Sequence, residues 1–228
     1  MRRFTIVGTD TGVGKTFVTA GLIRAAVRAG YVAFGLKPVE SGATGASSSD
    51  TAVLANVSGR TAKETNFIQF GPAVAPGLVP GNSTEIAELV NFVQVRCNVA
   101  DSTQQDGAAG PPPTLCFVET AGGWFSPLSS HGDVREFAVM LAAPVLIVGH
   151  AGLGAINQLR LTVSAVKASQ LPIVALILSQ RASDDDALAA QNESAIAQRT
   201  GLTTMRVRSD EDADLLIATI QEDCSWGW

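Results

Sequence analysis

Short uncharged apolar runs alternate along this chain with longer segments of helical periodicity. Phe4–Val7 reads as a buried strand, and a glycine-rich turn follows it. The spacing of apolar positions then predicts a helix over Lys15–Ala29, ended by Gly30, and a second strand over Tyr31–Leu36. Further strands are expected at Leu115–Val118, Val145–Val148 and Ile173–Leu178. Further helices are expected at Glu85–Arg96, Val134–Ala142, Ile156–Ala168, Asp186–Arg199 and Glu211–Gln221. The strands are continuously apolar rather than alternating, so both faces of the sheet must be covered. That pattern predicts an α/β domain whose mostly parallel sheet carries helices on both faces.

Two stretches need separate treatment. Residues from Phe137 to Leu159 carry no charge, which is long enough to cross a bilayer. Pro144, His150, Asn157, Gln158 and three glycines interrupt the run, so it reads as a helix end, a buried strand and a polar turn into the next helix. The segment Ala100–Pro113 (ADSTQQDGAAGPPP) is low in complexity and is expected to be a flexible surface loop inside one domain spanning 1–228.

Composition narrows the partners. The 228 residues are 46% hydrophobic and 16% charged, with a net charge of −5. Such a chain can bury a core without a metal or disulfide staple. Its balance favours neither a nucleic-acid backbone nor an anionic membrane as the main partner. Cys97, Cys116 and Cys224 form no CxxC pair, and there are two histidines, which argues against a Cys/His zinc site. Cys116 lies in an apolar run and reads as core. Unpaired thiols and the short apolar start after Met1-Arg2-Arg3 suggest a reducing, cytoplasmic setting.

The candidate chemistry begins at Gly8-Thr9-Asp10-Thr11-Gly12-Val13-Gly14-Lys15-Thr16, between the first strand and first helix. Glycines let backbone N–H groups turn toward a polyphosphate, and the helix N-terminus points at the same anion. Lys15 can reach terminal phosphates, and the Thr16 hydroxyl can ligate Mg²⁺. The strict pattern GxxxxGK[ST] fails at its first position, which is Thr9 rather than Gly8. The strand–turn–helix setting still points to a P-loop NTPase-type fold and a nucleoside triphosphate.

Three other residues narrow the reaction. Lys37 ends the second strand in Lys37-Pro38-Val39-Glu40-Ser41-Gly42, on the rim where open parallel sheets bind ligands. Position alone is equally compatible with a solvated surface lysine. Asp50 precedes an apolar-periodic helix, where an N-cap or first-turn carboxylate is also expected. Glu119 ends the Leu115–Val118 strand before Thr120-Ala121-Gly122-Gly123, where a second Mg²⁺ ligand belongs. Mg²⁺ takes hard oxygens and few protein ligands, so Thr16, Asp50 and Glu119 form a sensible set.

Together these blocks resemble dethiobiotin synthetase, the ATP-dependent carboxylase of biotin biosynthesis. The matching segments are GTDTGVGKT (8–16), KPVESG (37–42), SSDTAVL (48–54), VETAGGWFSPL (118–128) and AGLGAINQLRLT (151–162). They span most of the first three quarters of the chain, and the last quarter matches weakly. The resemblance implies a cyclo-ligase that joins CO₂ to 7,8-diaminononanoate as a carbamate, using ATP and Mg²⁺. The carbamate takes the γ-phosphoryl group, and the second amine closes the ureido ring. By resemblance, Lys15, Lys37 and Thr11 serve catalysis. Gly12, Val13, Gly14, Lys15, Thr16, Phe17, Glu119 and Ser179 bind the nucleotide. Thr11, Lys37 and Ser41 contact the diamine or carbamate. Gly154, Ala155, Ile156 and Asn157, at a helix start, receive the substrate carboxylate near a homodimer interface.

The departures are as informative as the matches. Thr120 replaces the glycine usual in this family, and a β-branched residue would be strained there if the turn needs positive φ. The base-reading asparagine gives way to Ser179-Gln180-Arg181, which predicts weaker discrimination among triphosphates. The usual Gly-x-x-Pro is missing around Thr203–Ser209. Rival readings are a partition- or septum-type switch ATPase, a cobyrinate-type amidotransferase synthetase, and a catalytically impaired relative. The first carries a lysine near the loop start, where this chain has Thr9 and Asp10. The second needs a glutaminase domain, for which 228 residues leave little room.

Overall fold

The computed structural model describes residues 1–43, 49–102 and 113–222. Most of the loop expected at 100–113, and the tail with Cys224, Trp226 and Trp228, lie outside those residues. Six parallel strands form the main sheet in the order β2-β5-β1-β6-β7-β8. They are β1 (Arg2–Gly8), β2 (Val32–Leu36), β5 (Thr114–Gly123), β6 (Val145–His150), β7 (Ile173–Ser179) and β8 (Thr204–Val207). β3 (Val39–Ser41) and β4 (Ile68–Phe70) form a separate parallel pair.

Successive side chains of the central strands point to opposite faces, and both faces are packed. Phe4, Ile6, Leu115 and Phe117 join a cluster with α1 (Lys15–Arg28), α2 (Asp50–Val57) and α8 (Asp210–Glu222). Val7, Cys116 and Val118 join the opposite cluster, built with α4 (Ile86–Ser102), α5 (Val134–Leu141), α6 (Ala155–Ala168) and α7 (Asp186–Thr200). The uncharged stretch from Phe137 to Leu159 is thus the end of α5, buried β6 and the start of α6. No helix of the described residues is long and apolar enough to cross a membrane.

The expected long elements are present, with shifted ends. α4 runs on past Arg96, and α2 begins at Asp50 behind a Ser49 N-cap. The short α3 (Ala62–Thr65), β3 and β4 had no clear periodic signal, because three or four residues do not complete one. β5 does not end at Val118 but continues to Gly123, carrying Glu119 and Thr120 inside the strand. Its register on β1 breaks between Ile6 and Gly8, which pair with Glu119 and Gly123. Four steps along β5 therefore match two along β1. That bulge swings the end of β5 over the turn that follows β1.

The strand order changes direction around β1, so the crevice outside its carboxyl end is where a ligand belongs. α2 matters because it brings Asp50 to that crevice, and Leu54, fully buried, anchors it against β2 and α1. Leu54→Ala should lower unfolding free energy by about 2–5 kcal/mol, seen as a lower denaturant midpoint with unchanged slope. Val53→Ala, on the exposed side of α2, should shift it by only about 0.5 kcal/mol. Equal shifts would remove Leu54 as the anchor.

Candidate active site

The turn after β1 delivers the chain into α1 through Gly14, at φ 95. A Cβ there would clash with the Ser179 side chain, so glycine suits both backbone and space. α1 has no side-chain cap and no acid in its first turn. α2, α5 and α7 instead receive side-chain caps from Ser49, Asp133 and Asp185. The first amides of α1 are consequently open to an anion. α6 likewise starts uncapped at Gly154.

Lys15 is buried, and its Nζ donates to the carbonyls of Asp10 and Gly122, both at 2.9 Å. Burial, followed by repulsion from Lys37, lowers its pKa to about 8. Lys37 is 2% exposed, which excludes the solvated-surface alternative. Its Nζ lies 2.6 Å from Glu119 Oε1, 3.0 Å from Asp50 Oδ2 and 3.2 Å from the Thr120 carbonyl. Three donors thus meet three acceptors. Burial alone would pull the Lys37 pKa down, but Glu119 and then Asp50 outweigh it and hold it above its ordinary value. Burial likewise opposes ionisation of Asp50, and Lys37 together with a Thr16 hydrogen bond keeps its pKa below the usual range.

Glu119 is fully buried. Its Oε1 accepts from Thr16 Oγ1 at 2.8 Å and from Lys37, while its Oε2 is buried with no hydrogen-bond partner. A carboxylate oxygen left bare at 0% exposure calls for a cation. Thr16, Asp50 and Glu119 converge there as hard oxygens, two of them carboxylates, which suits Mg²⁺ completed by phosphates and water. The donor set therefore fits the ion expected from the sequence.

Thr120 carries no backbone strain. Among the described residues, the non-glycine positions at positive φ are Ala142 and Gln170. The left-handed residue of this segment is Gly122, at φ 75, where a Cβ would clash with the Ser126 side chain. Thr120 is buried, and its hydroxyl donates to the Ile6 carbonyl at 3.0 Å, where the β1–β5 ladder breaks. The threonine thereby satisfies an acceptor beside the bulge.

These groups line a cleft of about 460 Å³. Thr11, Gly12, Gly14, Lys15, Thr16, Phe17, Lys37, Ser41, Asp50 and Glu119 all face it, so most of the expected residues are brought together. Val13 and Ser179 line a second cleft, about 310 Å³, which shares Thr11 and Gly12 with the first. Gly154, Ala155, Ile156 and Asn157 line neither. Sequence reasoning missed the wall formed by Ala73, Val74, Ala75 and Pro76, which has no polar signature. It also missed Glu40, buried at the edge of the cleft, and Arg181, whose Nη2 donates to the Gly12 carbonyl at 3.1 Å. Gln180, beside Ser179, is committed at both ends of its amide. Its Nε2 donates to Asp186 Oδ1 at 3.2 Å, and its Oε1 accepts from Arg206 at 3.3 Å.

A family model described as an AAA domain matches residues 2–207. An ATP-dependent dethiobiotin synthetase BioD from Anaeromyxobacter dehalogenans is 34% identical over 206 residues, covering 88% of this chain and 86% of that protein. One of the same name from Mycobacteroides abscessus is 32% identical over 221 residues, covering 96% and 92%. Among solved structures, the MinC:MinD cell division complex of Aquifex aeolicus aligns over 95% of this chain and 86% of that one, at 14% identity and TM-score 0.53. A DUF1611-family protein from Anabaena variabilis aligns over 97% and 57%, at 15% identity and TM-score 0.56. Likeness at that identity shows the P-loop NTPase-type fold alone.

The depressed Lys15 pKa has a measurable consequence. Free Lys15 is half protonated near its pKa of about 8, and a bound phosphate restores the charged form. ATP binding should therefore take up about half a proton at pH 8 and close to none at pH 6.5. Calorimetry in buffers of different ionisation enthalpy reads this directly. Lys15→Arg, which stays charged, should abolish the uptake; proton release by the unaltered protein would contradict the assignment.

Proposed function

The chain belongs to the dethiobiotin synthetase family, and on that premise we propose that it carboxylates 7,8-diaminononanoate with CO₂ and closes the ureido ring of dethiobiotin, converting ATP to ADP and phosphate. It is an ATP-using ligase by family. The observation that carries the proposal is Lys37, buried between Asp50 and Glu119 on the same cleft as Lys15 and the uncapped start of α1.

In this reading the amides of Gly12, Val13, Gly14, Lys15, Thr16 and Phe17 hold the triphosphate. Lys15 exchanges its two carbonyl partners for phosphoryl oxygens. Thr16, Asp50 and Glu119 would hold Mg²⁺, which would supply positive charge to the phosphate oxygens. Thr11 and Ser41 orient the diamine, whose apolar chain runs along Ala73–Pro76. One amine adds to CO₂, and the carbamate oxygen attacks the γ-phosphorus as ADP leaves. The second amine then attacks the carbamate carbon and expels phosphate. All three Lys37 donors are taken before substrate arrives, so Lys37, like Lys15, exchanges an acceptor, the uncharged Thr120 carbonyl, to donate to the developing negative charge. Close positioning of two amines, CO₂ and ATP supplies much of the remaining acceleration.

Gly154–Asn157 would serve the substrate carboxylate from a second copy of the chain. Support comes from the uncapped start of α6 and from exposed Leu153, Leu161, Val139 and Met140 on α5, α6 and the turn before α6.

The direct test incubates the protein with diamine, bicarbonate, ATP and Mg²⁺ and follows dethiobiotin by mass. Lys37→Ala should lower the synthesis rate by about 10²–10³-fold while ATP still binds. Full synthesis by that variant would refute the role of Lys37. ATP hydrolysis indifferent to the diamine would favour a switch ATPase.

With Gln180 buried in a network with Asp186 and Arg206 and Ser179 packed against Gly14, the end of β7 presents no exposed side-chain amide to a base. Turnover with ATP, GTP and CTP should then agree within about tenfold, since strong rejection requires polar groups left unpaired by the wrong ligand. A large preference for ATP would show that base recognition lies elsewhere.

A further inference from the structure

Glu40 is a carboxylate that neither the nucleotide reading nor the diamine reading uses. It sits in β3 between Val39 and Ser41, 5% exposed, at the edge of the main cleft. Among the described residues, no side-chain cation forms an ion pair with it. Its oxygens instead take four donors. Oε1 accepts from the Asp50 amide at 2.8 Å, and Oε2 accepts from the Thr51 amide at 3.2 Å, the Thr51 hydroxyl and Gln69 Nε2 at 2.9 Å. Gln69 is the β4 residue paired with Glu40. The carboxylate thus ties the β3–β4 pair to the first two residues of α2.

Those two residues decide where Asp50 stands. Asp50 is 43% exposed at its side chain, so packing alone does not immobilise it. Its backbone is fixed by Glu40 from one side, and its carboxylate is then carried to Lys37 and Thr16. A carboxylate at a helix start is favoured by the dipole as well as by the amides it accepts.

We propose that Glu40 is the positioning residue for Asp50: it clamps the start of α2 so that the Asp50 carboxylate is preset against Lys37 and the divalent-cation oxygens. This rests on the assignment of Asp50 to the cation site. The clamp needs two acceptor oxygens. An amide at position 40 offers one, so either the Asp50 amide or the Thr51 pair would lose its acceptor.

The test titrates Mn²⁺, followed by electron paramagnetic resonance, into the full chain loaded with ADP. Asp50→Asn, Glu40→Gln and the double variant are compared with the unaltered protein. Glu40→Gln should weaken Mn²⁺ by about 10- to 100-fold, the usual effect of removing a partner behind a metal ligand. ADP affinity in chelator and the KM for the diamine should stay unchanged. In the Asp50→Asn background the same change should have almost no further effect, because the group it acts through is gone. If Glu40→Gln does not fold, Thr51→Val removes one strut of the clamp and should weaken Mn²⁺ in the same direction. Unaltered Mn²⁺ binding in Asp50→Asn would overturn the cation assignment itself. Weakening in Asp50→Asn but not in Glu40→Gln or Thr51→Val would overturn the clamp alone. Equal weakening by Glu40→Gln in both backgrounds, or a raised diamine KM with Mn²⁺ unaffected, would also overturn it.

Discussion

An ammonium buried to 2% exposure must be neutralised, and the way Lys37 is neutralised organises the rim of this protein. Its three partners come from two places in the chain: Asp50 opens α2, and Glu119 and the Thr120 carbonyl lie side by side in β5. Each is brought there by a separate device. The bulge between β1 and β5 carries Glu119 over the phosphate turn, and the Glu40 contacts carry Asp50 in from the other side. With Lys15 included, two lysines and three carboxylates, Glu40, Asp50 and Glu119, line one cleft. Most of these groups satisfy one another before any ligand enters, yet one carboxylate oxygen and one helix start remain without partners. Those two deficits are opposite in sign, one calling for a cation and the other for an anion. A triphosphate carrying a divalent ion answers both at once.

Much of the fold was legible because the long elements have clean periods. The continuous apolar runs of β1, β5, β6 and β7 announced a sheet covered on both faces, and the helices between them followed. Short elements were not legible, since β3, β4 and α3 are fixed by tertiary contacts such as the Glu40–Gln69 bond rather than by pattern. Among site residues, Lys15 and Thr16 could be read from the glycine turn alone. Lys37 could not be separated from a surface lysine, because burial of its ammonium depends on residues 13 and 82 positions further along. Glu119 was placed correctly at the rim but wrongly at a strand end, because a bulge depends on the partner strand as well as on local sequence.

Thr120 shows how a local rule can mislead. A threonine in a glycine-rich turn suggests strain, but the left-handed position is two residues later, at Gly122. The hydroxyl is instead a hydrogen-bond donor where the ladder leaves a carbonyl open. Gln180 illustrates the converse. Its residue type suits base reading, but its surroundings commit both ends of the amide to a network with Asp186 and Arg206.

The strand order has a consequence for the nascent chain. β1 is made first and lies at the middle of the sheet, but its neighbours β5 and β6 begin at Thr114 and Val145. During synthesis the phosphate turn therefore has no sheet to stand on until β5 has emerged. Such long-range parallel pairing is slow, and it leaves an apolar strand unpaired in the meantime. Nucleotide present at that stage would meet an unformed pocket, so the order of events is sheet first and ligand second.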